Sequence, residues 1–285
     1  MQKIDVPTWD AFEAQVKELR QHPGNESSPL LFRGLSDATW PLTTTLERAG
    51  HEGMEFIDYY EVISRLKSEI ECFTGNGWDI TPCHEMDRRL RNDDGLHTFP
   101  APVYTYMLYL RHHGFPSPLL DWTRSPYVAA YFAFRRTANA KTGKVSLYVF
   151  SETPEGFKAA GSDRPRIIRV DPYVPAHRRH FLQQSDYSIC VFFEDMWRFA
   201  LHQEVFSLDD PHQDVLTQID IPTTERSKVL KLLDDHNLNA FSLFGSEESL
   251  METMAFRTLE PETPEPPPAP QLCHCPCRMP SGPPL

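Results

Sequence analysis

Apolar residues recur at three- and four-residue intervals at Trp9, Phe12, Val16 and Leu19, which predicts a helix to about Gln21 behind a Thr8 cap. A polar turn from Pro23 to Ser28 leads into Leu30-Leu31-Phe32-Arg33-Gly34, a short apolar run that reads as a buried strand ending in an arginine and a glycine. The series Ile57, Tyr60, Ile63, Leu66, Ile70 and Phe73 marks one face of an amphipathic helix from Met54 to Phe73. Thr74 to Pro102 is polar and glycine-bearing and reads as a loop, and Val103 to His113 as a second, tyrosine-rich helix. Ser125-Pro126 sets a capping hydroxyl before a first-turn proline, and the almost wholly apolar Val128 to Phe134 predicts a buried helix. Val145–Phe150, Arg166–Val170, Tyr187–Phe193 and Val205–Leu208 read as strands between turn-rich segments containing Gly161 and Pro172. Helices over Glu225–Asp235 and Glu247–Arg257 follow, the second capped by Ser246.

Helices early and strands late predict an α+β domain, with helices packed on a mixed or antiparallel split sheet, not regular βαβ alternation. The domain is expected over residues 1–260. From 261 to 285 the proline-rich sequence cannot build a core, so a disordered or extended tail is expected. The chain of 285 residues is 40% apolar, enough to close a core, and has no run near the roughly 18 apolar residues of a membrane helix. Its first residues lack the apolar stretch of a signal peptide, so a cytoplasmic protein with no membrane partner is expected. With 28 Lys+Arg against 40 Asp+Glu the formal charge is −12, which disfavours duplex nucleic acid as the main partner. Cys72, Cys83 and Cys190 are scattered and read as free thiols. Cys273, His274, Cys275 and Cys277 crowd the tail, but their alternating spacing fits a tetrahedral zinc site poorly, so no metal is expected.

No dinucleotide fingerprint, phosphate loop, HExxH or GxSxG motif occurs. Chemistry is therefore sought in polar groups embedded in apolar strings: Arg33, His112, and Asp121 and Thr123 around Trp122. Arg33 and Asp121 read first as one buried ion pair, or alternatively as an arginine fork for phosphate beside its carboxylate. Trp122 reads as core or as a stacking surface, and His112 as a helix cap or an acid–base group. Two glutamines, Gln183 and Gln184, follow Arg178-Arg179. Glu204 is expected on a strand edge, where a carboxylate can stabilise a developing cation or simply be solvated.

Phe32-Arg33-Gly34, His112-His113-Gly114-Phe115-Pro116, Leu119-Leu120-Asp121-Trp122-Thr123 and the Ser125-Pro126 helix together resemble the FRG domain, over roughly Leu30 to Leu259. Arg179 to Gln184 with Tyr187-Ser188-Ile189 resembles that family's later Arg-and-Gln motif, and Ser249 to Leu259 its closing helix. Three positions depart from the family: Arg111 where a glutamine is usual, Pro118 where a basic residue often stands, and Ser185 where a glycine is common. The family is bacterial and carries no settled activity.

A weaker resemblance is to the Arg-Ser-Glu layout of ADP-ribosyltransferases, with Arg33, Thr123 and Glu204 in the three places. It implies NAD as cosubstrate. Arg33 would grip the pyrophosphate or ribose, with His112, Asp121, Trp122, Thr123 and Gln183 around the cofactor, and Glu204 would be catalytic. Asp121 in place of a serine is the chief misfit. The expected activity is ADP-ribosyl transfer to a macromolecule or NAD hydrolysis, in a toxin or phage-defence effector with an antitoxin or immunity partner. The alternative is a non-catalytic nucleotide-sensing or protein-binding module, and a nucleic-acid-acting protein ranks third.

Overall fold

The computed structural model describes residues 1–21, 29–91, 101–137, 140–154, 158, 164–170 and 178–259. Strand β1 (Gln2–Asp5) precedes α1 (Trp9–Gln21), whose Trp9, Phe12 and Val16 are buried as their spacing predicts. Thr8 Oγ1 caps this helix by accepting the Ala11 amide at 3.3 Å. The apolar run becomes β2 (Leu31–Leu35). Thr44 and Glu47 then form a capping box that starts α2 (Thr45–Arg48). The amphipathic segment becomes α3 (Phe56–Thr74), which ends where Gly75 takes a left-handed φ of 71°.

The loop expected over Thr74–Pro102 is corrected in part, because Cys83–Leu90 forms α4. Met86 and Leu90, four residues apart, bury side by side and supply the apolar face that the polar composition obscures. After α5 (Ala101–His112) come β3 (Leu119–Thr123) and α6 (Pro126–Phe134), the latter capped by Ser125 with Pro126 in its first turn. Strands β4 (Lys144–Ser151) and β5 (Arg166–Val170) follow, then α7 (Arg178–Leu182), β6 (Ser185–Phe193) and β7 (Trp197–Phe199). The strand expected at Val205–Leu208 is instead part of α8 (His202–Ser207). His202, Val205 and Phe206 all face inward, a three- and four-residue spacing that a strand would split between two faces. The described chain closes with β8 (Val215–Pro222), α9 (Arg226–Asp235), α10 (Ala240–Phe244) and α11 (Glu247–Leu259). The tail, its cysteine cluster, Gly161 and Pro172 lie outside the described residues.

The strands form one sheet in the order β1-β8-β4-β2-β3-β6-β5, with β7 added on β6. Among the described residues only β1 and β8 pair in parallel, so the class is α+β with a mixed sheet. One face carries two separate cores. Phe32, Leu147, Val149 and Ile219 pack under α1, α6 and α9, while Leu119, Ile189 and Val191 pack under α3, α4 and α5. On the opposite face Leu31, Leu120, Trp122, Phe150, Cys190 and Leu216 bury against Val205 and Phe206 of α8. The boundary between the first two cores runs over the contact of β2 with β3. Those strands meet at a single pair, Phe32 opposite Thr123, whereas β2 pairs β4 at five positions and β3 pairs β6 at five.

Candidate functional site

Continuing the β2–β3 register past Phe32 and Thr123 would set Gly34 opposite Asp121, but the strands part there. Gly34 is pressed against α6 instead: a Cβ at this position would lie 1.9 Å from the Ala129 carbonyl oxygen and 2.7 Å from the Ala133 nitrogen. Only glycine permits this approach of strand backbone to helix backbone. Phe32, its neighbour but one, is fully buried in the core beneath α6.

Arg33, between them, bridges the opening. Its Nη1 donates to the main-chain carbonyl of Asp121 at 2.5 Å, a bond from a side chain where a sheet neighbour would serve, and lies 3.9 Å from the Asp121 carboxylate. Burial lowers the Arg33 pKa to about 10, with Arg111 and Arg48 adding to the effect and Asp121 opposing it. Arg33 Nε is buried and meets no hydrogen-bond acceptor among the described residues.

The principal partner of Asp121 is not Arg33. Arg111, in the last turn of α5, grips both carboxylate oxygens in a fork, through Nε at 2.9 Å and through Nη2, and its Nη1 donates to Thr45 Oγ1 at 2.6 Å. The expected Arg33–Asp121 pair is present, and Arg111 extends it to a triad in which Arg111 grips the carboxylate and Arg33 also holds the backbone. Burial opposes the charge on Asp121, but Arg111 and then Arg33 outweigh it and keep the carboxyl below its ordinary pKa. Arg111 is therefore the residue that orders the site.

His112 ends α5, but its Nε2 lies 2.9 Å from the Tyr187 hydroxyl, so it is joined to β6 as well as closing the helix. Burial raises the Tyr187 pKa, which keeps the phenol protonated. Thr123 Oγ1 donates to the Gln183 carbonyl at 2.7 Å and accepts the Ser125 amide at 3.1 Å, tying the end of β3 to α7 and to the start of α6. Gln183 in turn donates through Nε2 to the Leu243 carbonyl at 3.1 Å.

These groups line a cavity of about 410 Å³ over the opening between β2 and β3. Arg33, His112, Asp121, Trp122, Thr123 and Gln183 all border it. Trp122 does so from below, with its indole committed to the opposite face, where Nε1 donates to Ser188 Oγ at 2.8 Å and the ring lies 5.1 Å from Phe150. Glu204 is not among the lining residues; it is exposed on α8, beyond the core of the opposite face. Sequence reasoning missed Arg111, Arg179, Tyr187 and Trp40 as cavity residues. The first three stand beside or within motifs already singled out, whereas Trp40 carries no local signal. The lining holds Arg33, Arg111 and Arg179 against one carboxylate, so its chemistry suits an anion. A cavity of similar size, 420 Å³, lies among α6, α9 and α11, where Arg135 and Glu252 close on one another. That one is more apolar and lacks every residue of the triad.

Residues 28–142, less than half the chain, match the family model of the FRG domain. That segment is similar to the FRG domain. The matched segment runs from β2 through α6, so it contains Arg33, Gly34, Arg111, His112 and the Asp121–Thr123 strand. Arg179, Gln183 and Tyr187, which complete the cavity, lie beyond the match and come from α7 and β6. The Phe32-Arg33-Gly34 motif in this matched segment thus has three separate tasks: a core ring, a bridge across the opening and a seat for α6. No curated protein and no solved structure matches the chain. Among the described residues no group of His, Cys, Asp or Glu is arranged to hold a metal ion, and no helix is long and apolar enough to cross a membrane.

Proposed function

We propose that this cavity binds an NAD-type nucleotide and that breaking the nicotinamide–ribose bond is the chemistry it supports. The observation that carries this reading is the convergence of Arg33, Arg179 and Asp121 on one cavity at the opening of the sheet. Its volume lies in the range of small-molecule sites, about 300–1,000 Å³. Arg33 spends one nitrogen on Asp121, and its guanidinium borders the cavity together with Arg179, which suits a pyrophosphate oxygen. His112 and Tyr187 offer a hydrogen-bonded pair to the ribose hydroxyls.

Cleavage breaks the bond from the anomeric carbon to the nicotinamide nitrogen, and its electron pair leaves with neutral nicotinamide. Positive charge then spreads over the ribose carbon and ring oxygen. Asp121, held ionised by Arg111, is the carboxylate placed to stabilise it electrostatically. Water, or a nucleophile of a macromolecular acceptor, adds to the carbon and loses a proton. Asp121 replaces Glu204 in this account because Glu204 lies outside the cavity.

A second reading, a nucleotide sensor without turnover, is favoured by one specific contact: Arg111 occupies both oxygens of Asp121 and offsets much of its charge. One experiment separates the two. Calorimetric titration with NAD is paired with a nicotinamide-release assay on wild type, Arg33→Ala, Asp121→Asn and Glu204→Gln, each checked by circular dichroism. The enzyme reading expects NAD binding weakened at least about tenfold by Arg33→Ala, release abolished by Asp121→Asn, and release unchanged by Glu204→Gln. Binding without release selects the sensor, and absence of binding overturns both.

A further inference from the structure

Four of the five tryptophans are core residues: Trp9, Trp78, Trp122 and Trp197 are at most 9% exposed. Trp40 is 46% exposed, and it lines the same cavity as Arg33 and Asp121. Leaving a large apolar ring in water forgoes the burial that folding normally gains. The turn that presents it is nevertheless firmly built. Asp37, fully buried, accepts the Thr39 amide at 2.8 Å, the Thr39 hydroxyl at 2.6 Å and the Lys141 amide at 2.6 Å. The Trp40 amide donates to the Asp37 carbonyl at 3.1 Å, and the Trp40 carbonyl accepts from the Tyr148 hydroxyl at 3.4 Å. Gln218 Nε2 donates to the Ala38 carbonyl at 3.1 Å, pinning the same turn to β8. The ring is thus exposed on a backbone fixed from both sides.

A rigid, exposed aromatic surface beside a cationic cavity is the pairing that recognises a flat heterocycle joined to a phosphate. Trp122, the tryptophan of the sequence motif, cannot serve, because its indole is bonded to Ser188 on the other side of the sheet. We propose that Trp40 is the stacking platform for the aromatic ring of the nucleotide whose phosphates meet Arg33. This rests on the cavity reading given above, and it adds the subsite for the ring.

The test is calorimetric titration of wild type, Trp40→Ala, Trp40→Phe and Arg33→Ala with ADP-ribose, nicotinamide mononucleotide and ribose 5-phosphate. Trp40→Ala is expected to weaken a ring-bearing ligand by about tenfold, in keeping with single base–aromatic stacks. It should leave ribose 5-phosphate unchanged, and Trp40→Phe should retain most of the affinity. Loss confined to ADP-ribose assigns the stacked ring as adenine, and loss confined to nicotinamide mononucleotide assigns it as nicotinamide. If wild type binds both ring-bearing ligands and Trp40→Ala binds them equally well, the platform is overturned while the cavity reading stands. If wild type binds none of the three and Arg33→Ala changes nothing, both fall together.

Discussion

Strands β4 and β8 pair over eight consecutive residues, and β2 and β3, two positions along the same sheet, pair over one. The long ladder satisfies its backbone with backbone and leaves its side chains to pack, so Val145, Leu147 and Ile221 are simply core. At the short junction side chains take over the work of the ladder: Arg33 bonds the Asp121 carbonyl, and Arg111 fixes the Asp121 carboxylate. A sheet that stops pairing exposes polar backbone, and the charged groups recruited to satisfy it are also the groups that can meet a ligand. The site therefore lies where the regular structure gives way.

The contrast is broken most severely at Gly34. Any Cβ there meets main-chain atoms of α6, which cannot rotate aside as a side-chain tip can. Overpacking costs roughly 1–3 kcal/mol and occasionally more, so Gly34→Ala is expected to cost about 3 kcal/mol or more. For a domain of this size that lowers the melting midpoint by roughly 6 °C or more. Substituting alanine at Gly143, which has open space around it but a φ of 67°, tests backbone conformation without the clash and should cost less. A Gly34→Ala protein melting within a degree or two of wild type would show that α6 does not need the strand to seat it.

The ladder side of this comparison was legible in the sequence, and the junction was legible only in part. β4 and α6 are written as apolar runs with clear caps or turns, and with β5 they stand within a residue or so of their predicted limits. The apolar pattern does not show β1 or β8: β1 is short and polar, and it pairs in parallel with β8. α8 is ambiguous in the sequence because two adjacent apolar residues, Val205 and Phe206, suit a strand as well as a helix over so short a span. In the cavity, Arg33, Asp121 and Thr123 are conspicuous as polar groups inside apolar strings. Arg111 is not, since a basic residue near a helix C-terminus is ordinary, and only the folded arrangement brings it to Asp121. Glu204 stands in its expected role only through the layout of the resemblance, and no local signal distinguishes an exposed acid on a helix from one at a strand edge.

The triad gives the next largest effect. Removing one partner of a buried ion pair costs about 3–5 kcal/mol. Arg111 is buried, but the Asp121 side chain is 39% exposed and water screens part of its charge. Arg111→Ala is therefore expected to cost about 2 kcal/mol in urea denaturation. Asp121→Asn on its own should cost less, because the amide keeps a hydrogen-bond acceptor for Arg111. The double variant should be more stable than the sum of the single effects implies, since the uncompensated carboxylate is gone. Strict additivity would mean that Arg111 and Asp121 do not act as a pair.

Beneath the junction the sheet is sealed. There Ser188 Oγ accepts from Trp122 Nε1 and lies 2.9 Å from His202 Nε2, and His202 is fully buried. Burial, reinforced by the positive charge of Arg33, drives the His202 pKa down to about 3. In the unfolded chain it titrates near its ordinary value of 6.5, so between about pH 6.5 and 3 the unfolded state binds the extra proton. The contribution of neutral His202 to stability is thus complete above pH 6.5 and is lost as pH falls through that window. Asp214 acts in the opposite sense: burial raises its pKa to about 6, so its native state binds the extra proton and gains stability as pH falls from about 6 to 4. Urea denaturation at steps between pH 7 and 4 should therefore show a steeper acid loss in Asp214→Asn than in wild type. A His202→Gln protein, which has no imidazole to charge, should show a shallower loss. If His202→Gln follows the wild-type slope, the imidazole is reached by protons in the native state, and the reverse side of the junction is as open as the cavity above it.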